Sequence, residues 1–284
     1  MKIAVIGANG QLGSDLTCAF TENGDEVSAL THADVEVTDI VLLSSVLRQL
    51  RPQIIVNTAA MHNVEKCEAD PDRSFAVNGE GARNLALIAR EIDSVLIHIS
   101  TDYVFDGSKG APYEESDRPF PLNVYGNTKL AGEYFVLSLH EKSFVVRTSA
   151  LYGRKPCRAK GLNFVNLMLK LAKERDEVRV VASEVVTPTY TADLAKQIVL
   201  MSRFDHYGLF HATPEGSCSW YEFAQEIFRR ANIGARLGVA APDEFPSKVR
   251  RPKYSVLENS RLKSFKLNAF GTWEEGLNRY LEAL

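Results

Sequence analysis

Long apolar runs are missing from this 284-residue chain, as are cysteine pairs, an excess of one charge, and repeats, linkers or low-complexity stretches. No stretch approaches the roughly 20 apolar residues that cross a bilayer. The first apolar run leads into glycines rather than a cleavage-like site, so neither anchor nor signal peptide is expected, and the expected location is the cytoplasm. Cys18, Cys67, Cys157 and Cys218 form no C-x-x-C pair. Such spacing argues against a zinc site or a disulfide framework and fits ordinary thiols in a reducing compartment. Lys and Arg total 33 against 36 Asp and Glu, for a formal net charge of −3 with the signs interspersed. That balance offers no field for nucleic acid or an anionic membrane, so neither is expected as a partner.

What the chain does have is alternation. Lys2 to Ile6 is a short apolar run ending at Gly7-Ala-Asn-Gly10-Gln-Leu-Gly13, and Ser14 to Phe20 follows with helical patterning. This is a buried strand turning into a helix through a G-x-x-G-x-x-G turn. Such glycines allow a tight turn and close backbone approach to a pyrophosphate, while the helix N-terminus supplies amides and a positive dipole. Strands are then expected at 26–30, 53–57, 94–99 and 143–147, and helices at 41–50, 71–92 and 123–139. The pattern predicts an α/β fold with a doubly wound, Rossmann-like parallel sheet, in which ligands bind beyond the carboxyl ends of the strands. After Ser149 a second, smaller α/β substrate-binding unit is expected, with helices at 160–175, 220–231 and 273–284 and a strand at 177–181. Residues 191–201 should return to the first unit. The expected division is 1–150 with 188–205 for the NAD(P)-binding unit, and 151–187 with 206–284 for the other.

Tyr125 and Lys129 lie one helical turn apart, so a phenol and an ammonium can face one cleft. A cation beside the phenol would lower its pKa toward neutrality and let it exchange a proton with a carbonyl oxygen. Together with the glycine turn, this pair points to a nicotinamide-dependent reductase. Thr101, after the fourth strand, offers a hydroxyl for the same carbonyl, or is a turn residue. Ala59 and Ala60, after the third, are small enough for a nicotinamide ribose to lie against backbone, or mark a tight turn. The second strand ends Leu30-Thr31-His32 without an acidic residue, which leans toward NADPH over NADH. Lys248-Val-Arg-Arg251 could pair with a diphosphate, or be a solvated charge run.

Ser100-Thr-Asp-Tyr-Val-Phe-Asp-Gly107, Pro112-Tyr-Glu-Glu115, Pro121 to Glu133, Arg147-Thr-Ser, Asn57-Thr-Ala-Ala60 and Val77-Asn-Gly-Glu-Gly81 together resemble the dTDP-4-dehydrorhamnose reductases, members of the extended short-chain dehydrogenase/reductase superfamily. The resemblance runs over essentially the whole chain. It implies reduction of the 4-keto group of dTDP-4-dehydrorhamnose to give dTDP-L-rhamnose. It further implies that Tyr125 is the proton donor, that Lys129 tunes it and holds the nicotinamide ribose, and that Thr101 and Asp102 meet the substrate. Gly10, Gln11 and Leu12 would meet the pyrophosphate, Asp39 and Ile40 the adenine, and Ala59 to Met61 the nicotinamide. Where the family usually has tryptophan after Arg-Thr-Ser, this chain has Ala150, which removes a stacking wall beside the substrate and could admit another sugar. Phe164 and Tyr190 are candidates to replace that wall. Some members bridge a dimer through a metal held by acidic residues; Asp15 and Asp193 fall near such positions without a third partner, so no metal is expected, and the chain is a monomer or homodimer. Two other readings remain. One is a nucleotide-sugar epimerase or dehydratase of the superfamily, although Asp102-Tyr103 is not the Asp-Glu pair typical of dehydratases. The other is a non-catalytic NADP-binding relative, such as the regulatory subunit of methionine adenosyltransferase.

Overall fold

The computed structural model describes residues 1–156, 161–241, 244–245 and 249–284; Cys157, Lys160 and Lys248 therefore lie outside the described residues. In chain order the first elements are β1 (Lys2–Ile6), α1 (Gln11–Glu22), β2 (Glu26–Leu30), α2 (Ile40–Leu50), β3 (Ile54–Asn57), α3 (Val64–Ala69), α4 (Pro71–Phe75), α5 (Gly81–Glu91), β4 (Val95–Thr101), α6 (Val124–Leu139) and β5 (Ser143–Thr148). There follow β6 (Leu151–Tyr152), α7 (Phe164–Glu174), β7 (Glu177–Val180), β8 (Val185–Val186), β9 (Thr189–Tyr190), α8 (Thr191–Met201), β10 (Gly208–His211), β11 (Cys218–Ser219), α9 (Trp220–Arg230), β12 (Arg236–Val239), α10 (Ser260–Ser264) and α11 (Trp273–Glu282).

Six strands form one parallel sheet in the order β10-β5-β4-β3-β1-β2. Its inner strands β1 and β3 are apolar along most of their length because both faces are covered. On one face Leu16 and Phe20 of α1 and Leu194 and Ile198 of α8 pack over Val5, Val56 and Val146; on the other Leu43 and Leu47 of α2 and Leu85 and Ala89 of α5 cover Ile6, Ile55 and Leu96. The strand order reverses between β1 and β3, which opens a crevice at their carboxyl ends.

The doubly wound sheet is as expected, and α8 does return to it. The boundary at residue 205 is corrected: β10, assigned above to the smaller unit, pairs in parallel with β5 from Gly208–Phe144 to His211–Arg147, and Phe210 and Leu262 join the sheet's core. The apolar pair in Gly208-Leu-Phe-His211 is too short to announce a strand by periodicity. The expected 71–92 helix is interrupted by a π-helical turn at Ala76–Glu80. Insertions of this kind cluster at functional sites, and here the turn carries the buried Asn78.

The smaller unit pairs β7 with β12 and β8 with β11, and packs α7, α9 and α11 around Val165, Phe223, Ile227, Trp273 and Leu277. Ser219 and Thr272 start α9 and α11 with capping boxes, each satisfying helix amides that would otherwise lack partners.

Candidate active site

The crevice begins at the β1–α1 turn. Gly7 has φ 80°, and a Cβ on Gly13 would lie 2.2 Å from the Gly7 carbonyl oxygen, so only glycine lets the helix start this close to the strand. α1 has no side-chain cap at Gly10 and no acidic residue in its first turn, which leaves its first amides and dipole available to an anion. These features fit a dinucleotide pyrophosphate. Leu12 is buried in the core and Gln11 Nε2 donates to the Gly153 carbonyl at 3.2 Å; of these two residues, the backbone amides are what the crevice can use.

At the β2 edge, Thr31 N–H and Oγ1 both donate to Asp34 Oδ2, at 2.8 and 2.7 Å. A carboxylate thus does stand near the strand end, three residues later than the position read in the sequence. Asp39 caps α2 by accepting from the amides of Val41 and Leu42 at 3.1 and 3.0 Å, and the Ile40 side chain is exposed. The capping explains an aspartate at 39 without any ligand. After β3, Ala59, Ala60 and Met61 form a partly open loop supported from beneath. Ala59 N–H donates to Asn57 Oδ1 at 3.1 Å, and Asn78 clamps Met61, its Oδ1 accepting from the amide and its Nδ2 donating to the carbonyl, both at 2.9 Å.

β4 and α6 bring the expected chemistry together. Asn123 caps α6 by accepting from Gly126 N–H at 2.9 Å, and donates Nδ2 to the Arg250 carbonyl at 2.9 Å. A Cβ on Gly126 would sit 2.2 Å from the Tyr103 carbonyl oxygen, so the first turn of α6 lies directly on the 102–104 turn. Tyr125 consequently meets Tyr103 edge to face, with ring centroids 5.8 Å apart. Thr101 Oγ1 donates to Asp102 Oδ1 at 3.0 Å and accepts from Tyr103 N–H at 3.2 Å. Asp102, 3% exposed, also accepts through Oδ2 from Ser149 Oγ at 2.9 Å and Ser255 Oγ at 2.5 Å. Burial raises its pKa to about 6 against the pull of these hydroxyls.

The expected effect of Lys129 on Tyr125 is corrected. Burial raises the Tyr125 phenol above the ordinary tyrosine value, opposed by the Thr101 hydroxyl and reinforced by Asp102 and Cys67. Lys129 takes no part in that balance. Its Nζ is buried and turned to β4, 2.6 Å from the Ile99 carbonyl oxygen and 3.3 Å from His98 Nε2. Burial brings it down to about 8, opposed by Glu133.

Arg251 reaches the same cleft, where its charge acts on Tyr103, but its guanidinium is paired with Glu65 of α3. Its Nε is buried without a hydrogen-bond partner. Ala150 has φ 45°, a left-handed conformation unfavourable for a residue with a Cβ, at the bend from β5 into β6. Of the two aromatic replacements considered for it, Tyr190 is buried and stacked on Tyr152 with centroids 5.8 Å apart, whereas Phe164 is only partly buried and lies 4.6 Å from the Trp220 ring. Asp15 and Asp193 are engaged elsewhere. Asp15 accepts from Thr191 Oγ1 at 2.5 Å and Asp193 pairs with Arg279 at 2.8 Å. Among the described residues no group of three acidic, histidine or cysteine side chains could hold a metal.

Asn57, Asn78, His98, Ser149 and Ser255 were not assigned roles from sequence. Asn57, Asn78 and Ser149 do stand in the motifs that carried the resemblance. For Ser255, which meets Asp102 across 153 residues of chain, no local signal exists.

A family model described as "RmlD substrate binding domain" matches residues 1–284. The chain is 37% identical over 282 residues to the spore coat polysaccharide biosynthesis protein SpsK of Bacillus subtilis, covering 99% of this chain and 97% of that one. It is 39% identical to the dTDP-4-keto-6-deoxy-D-glucose reductase of Streptomyces niveus, covering 97% and 94%. Among solved structures, the dTDP-4-dehydrorhamnose reductase from Bacillus anthracis in complex with NADP superposes with a TM-score of 0.95 at 38% identity, covering 100% and 99%. Matched from end to end by the model, and by relatives of nearly its own length, the chain belongs to the RmlD substrate binding domain family.

Proposed function

We propose that this chain is an NAD(P)H-dependent reductase of the 4-keto group on a dTDP-linked 6-deoxy sugar, with dTDP-4-dehydrorhamnose as substrate and dTDP-L-rhamnose as product. The observation that carries the reading is the convergence of Thr101, Asp102 and Tyr125 at the crevice edge, with Lys129 one turn deeper. Gly7, Gly10, Gln11, Leu12 and Gly13 would hold the pyrophosphate through backbone, Thr31, Asp39 and Ile40 would flank the adenosine, and Ala59 to Met61 with Lys129 the nicotinamide end. The cofactor, when bound, supplies the hydride. NADP in the Bacillus anthracis relative supports NADPH as the partner of choice, with NADH the alternative.

Tyr125, with its pKa raised, keeps its proton at neutral pH, which is the state a proton donor needs in the reductive direction. Thr101 is held by Asp102 and the Tyr103 amide, so its oxygen is fixed beside the phenol that must meet the carbonyl oxygen. In this reading Arg251 would contact the substrate, and Ala150 would leave room beside the sugar. Among the described residues no helix is long and apolar enough to cross a membrane; a cytoplasmic monomer or homodimer completes the reading.

The test follows the loss of reduced nicotinamide absorbance with dTDP-4-dehydrorhamnose generated in place, comparing NADPH with NADH. Tyr125→Phe should lower kcat by about 10²–10⁴ while leaving the melting temperature unchanged. Turnover of dTDP-4-keto-6-deoxy-D-glucose in its place would assign the sugar named for the Streptomyces niveus relative. Nicotinamide retained through purification, with epimerised rather than reduced product, would sink the reductase reading in favour of an epimerase. Absence of any turnover together with co-elution of a second protein would favour a binding subunit.

A further inference from the structure

The hydrogen-bond partners beneath the site define where its protons sit. Ala59 N–H donates to Asn57 Oδ1, so the Nδ2 end of that amide is the one that faces His98 Nδ1, at 3.0 Å. An amide nitrogen only donates, hence Nδ1 accepts. His98 is 1% exposed, and burial by itself favours the neutral ring, holding its pKa below the ordinary histidine value. The ring is therefore neutral, with its single proton on Nε2. That Nε2 lies 3.3 Å from Lys129 Nζ, which is also 2.6 Å from the Ile99 carbonyl oxygen. An ammonium has donors only and would set N–H against N–H. The amine has one lone pair for Nε2–H, one N–H for the Ile99 carbonyl, and one N–H left over.

From this matching of donors and acceptors we propose that His98, held as its Nε2–H tautomer by Asn57, is a positioning residue that donates to the amine form of Lys129 and so loosens the lysine's hold on its proton. A chain of hydrogen bonds then runs from the Ala59 amide at the crevice through Asn57 and His98 to Lys129. Besides its burial, Glu133 on the same helix and the Ile99 carbonyl favour the ammonium, and the His98 ring, from β4, favours the amine. Gly132 brings α6 against the π-helical turn, since a Cβ there would lie 2.4 Å from the Asn78 carbonyl oxygen, while His98 Nε2 stands at ordinary contact distance. The consequence for turnover rests on the catalytic reading of Lys129; the tautomer does not.

Nitrogen-15 NMR of the full-length protein, labelled at histidine and lysine, reads both ends of the contact without turnover. The expected result is a His98 ring with an unprotonated Nδ1 and a protonated Nε2, unchanged from about pH 6 to about pH 9, and a Lys129 Nζ titrating at about 8. In His98→Leu the amine loses its donor, so the ammonium gains and the midpoint moves up by about half a unit to one unit, the worth of one net hydrogen bond. His98→Gln keeps an N–H toward Lys129 and should leave the midpoint in place. A proton on Nδ1, an imidazolium at about pH 7, or a midpoint unmoved in His98→Leu overturns the proposal. If His98→Leu does not fold, the wild-type tautomer and the His98→Gln midpoint decide it. An inactive enzyme with the expected tautomer and midpoints would refute the reductase reading alone.

Discussion

Asp102 is the residue on which several parts of the site depend. Its two oxygens take the hydroxyls of Thr101, Ser149 and Ser255, so one carboxyl orders the end of β4, the end of β5 and a segment of the smaller unit. Burial raises its folded pKa to about 6 from the ordinary aspartate value of about 3.8. The folded state therefore binds a proton that the unfolded state has released between about pH 4 and pH 6. Stability from this group is fully present below the unfolded value and is lost as pH rises through about 6, a difference of about 3 kcal/mol. Asp102→Asn cannot ionise, so the difference in melting temperature between variant and wild type should move in favour of the variant from pH 4 to pH 8. A difference that does not change with pH would contradict the buried carboxylate. At this scale Thr101, Tyr125 and Lys129 could be picked out from neighbours in sequence. The raised phenol of Tyr125 could not, because its environment comes from Asp102 and Cys67 packed around it.

Between elements, one tie is a buried ion pair. Arg147 of β5 meets Glu133 of α6 through two hydrogen bonds of 2.9 and 2.6 Å, and Ser100 Oγ adds a third to the same carboxylate at 2.5 Å. The Arg147 guanidinium also lies over the Phe105 ring, 5.0 Å from its centroid. Both side chains are 3% exposed or less, so removing one leaves a desolvated charge. Glu133→Leu should destabilise the fold by about 3–5 kcal/mol, and adding Arg147→Met to it should recover most of that loss in a urea titration. Failure of the second change to recover stability would mean that the pair contributes through packing rather than charge. The helix and strand bearing these residues were legible, since α6 and β5 start and stop within a residue of the expected bounds. Their pairing was not, because a glutamate on a helix reads as solvated until the strand beneath it is known.

For the whole molecule, the crevice is closed by contacts from the smaller unit. Ser255 reaches Asp102, the Arg250 carbonyl accepts from Asn123, and Arg251 pairs with Glu65. Ser255→Ala removes the link from Asp102 without emptying a core. It should raise KM several-fold with a small change in kcat, measured in steady-state reduction of the keto sugar; an equal fall in kcat and kcat/KM would place Ser255 in the chemical step instead. The architecture up to β5 follows from local pattern: apolar runs set the strands, glycines the first turn, and 3.6-residue spacing the helices that carry Tyr125 and Lys129. The sequence by itself thus determined the fold class, the family and the composition of the crevice edge. Only the tertiary structure decided that β10 completes the sheet, that Asn78 sits on a π-helical turn beneath Met61, that Asp102 takes its Ser255 partner from across 153 residues, and that Lys129 faces His98 rather than the phenol. Hydrogen-bond partners and burial depend on which distant segments meet, and that information is carried by packing, not by spacing along the chain.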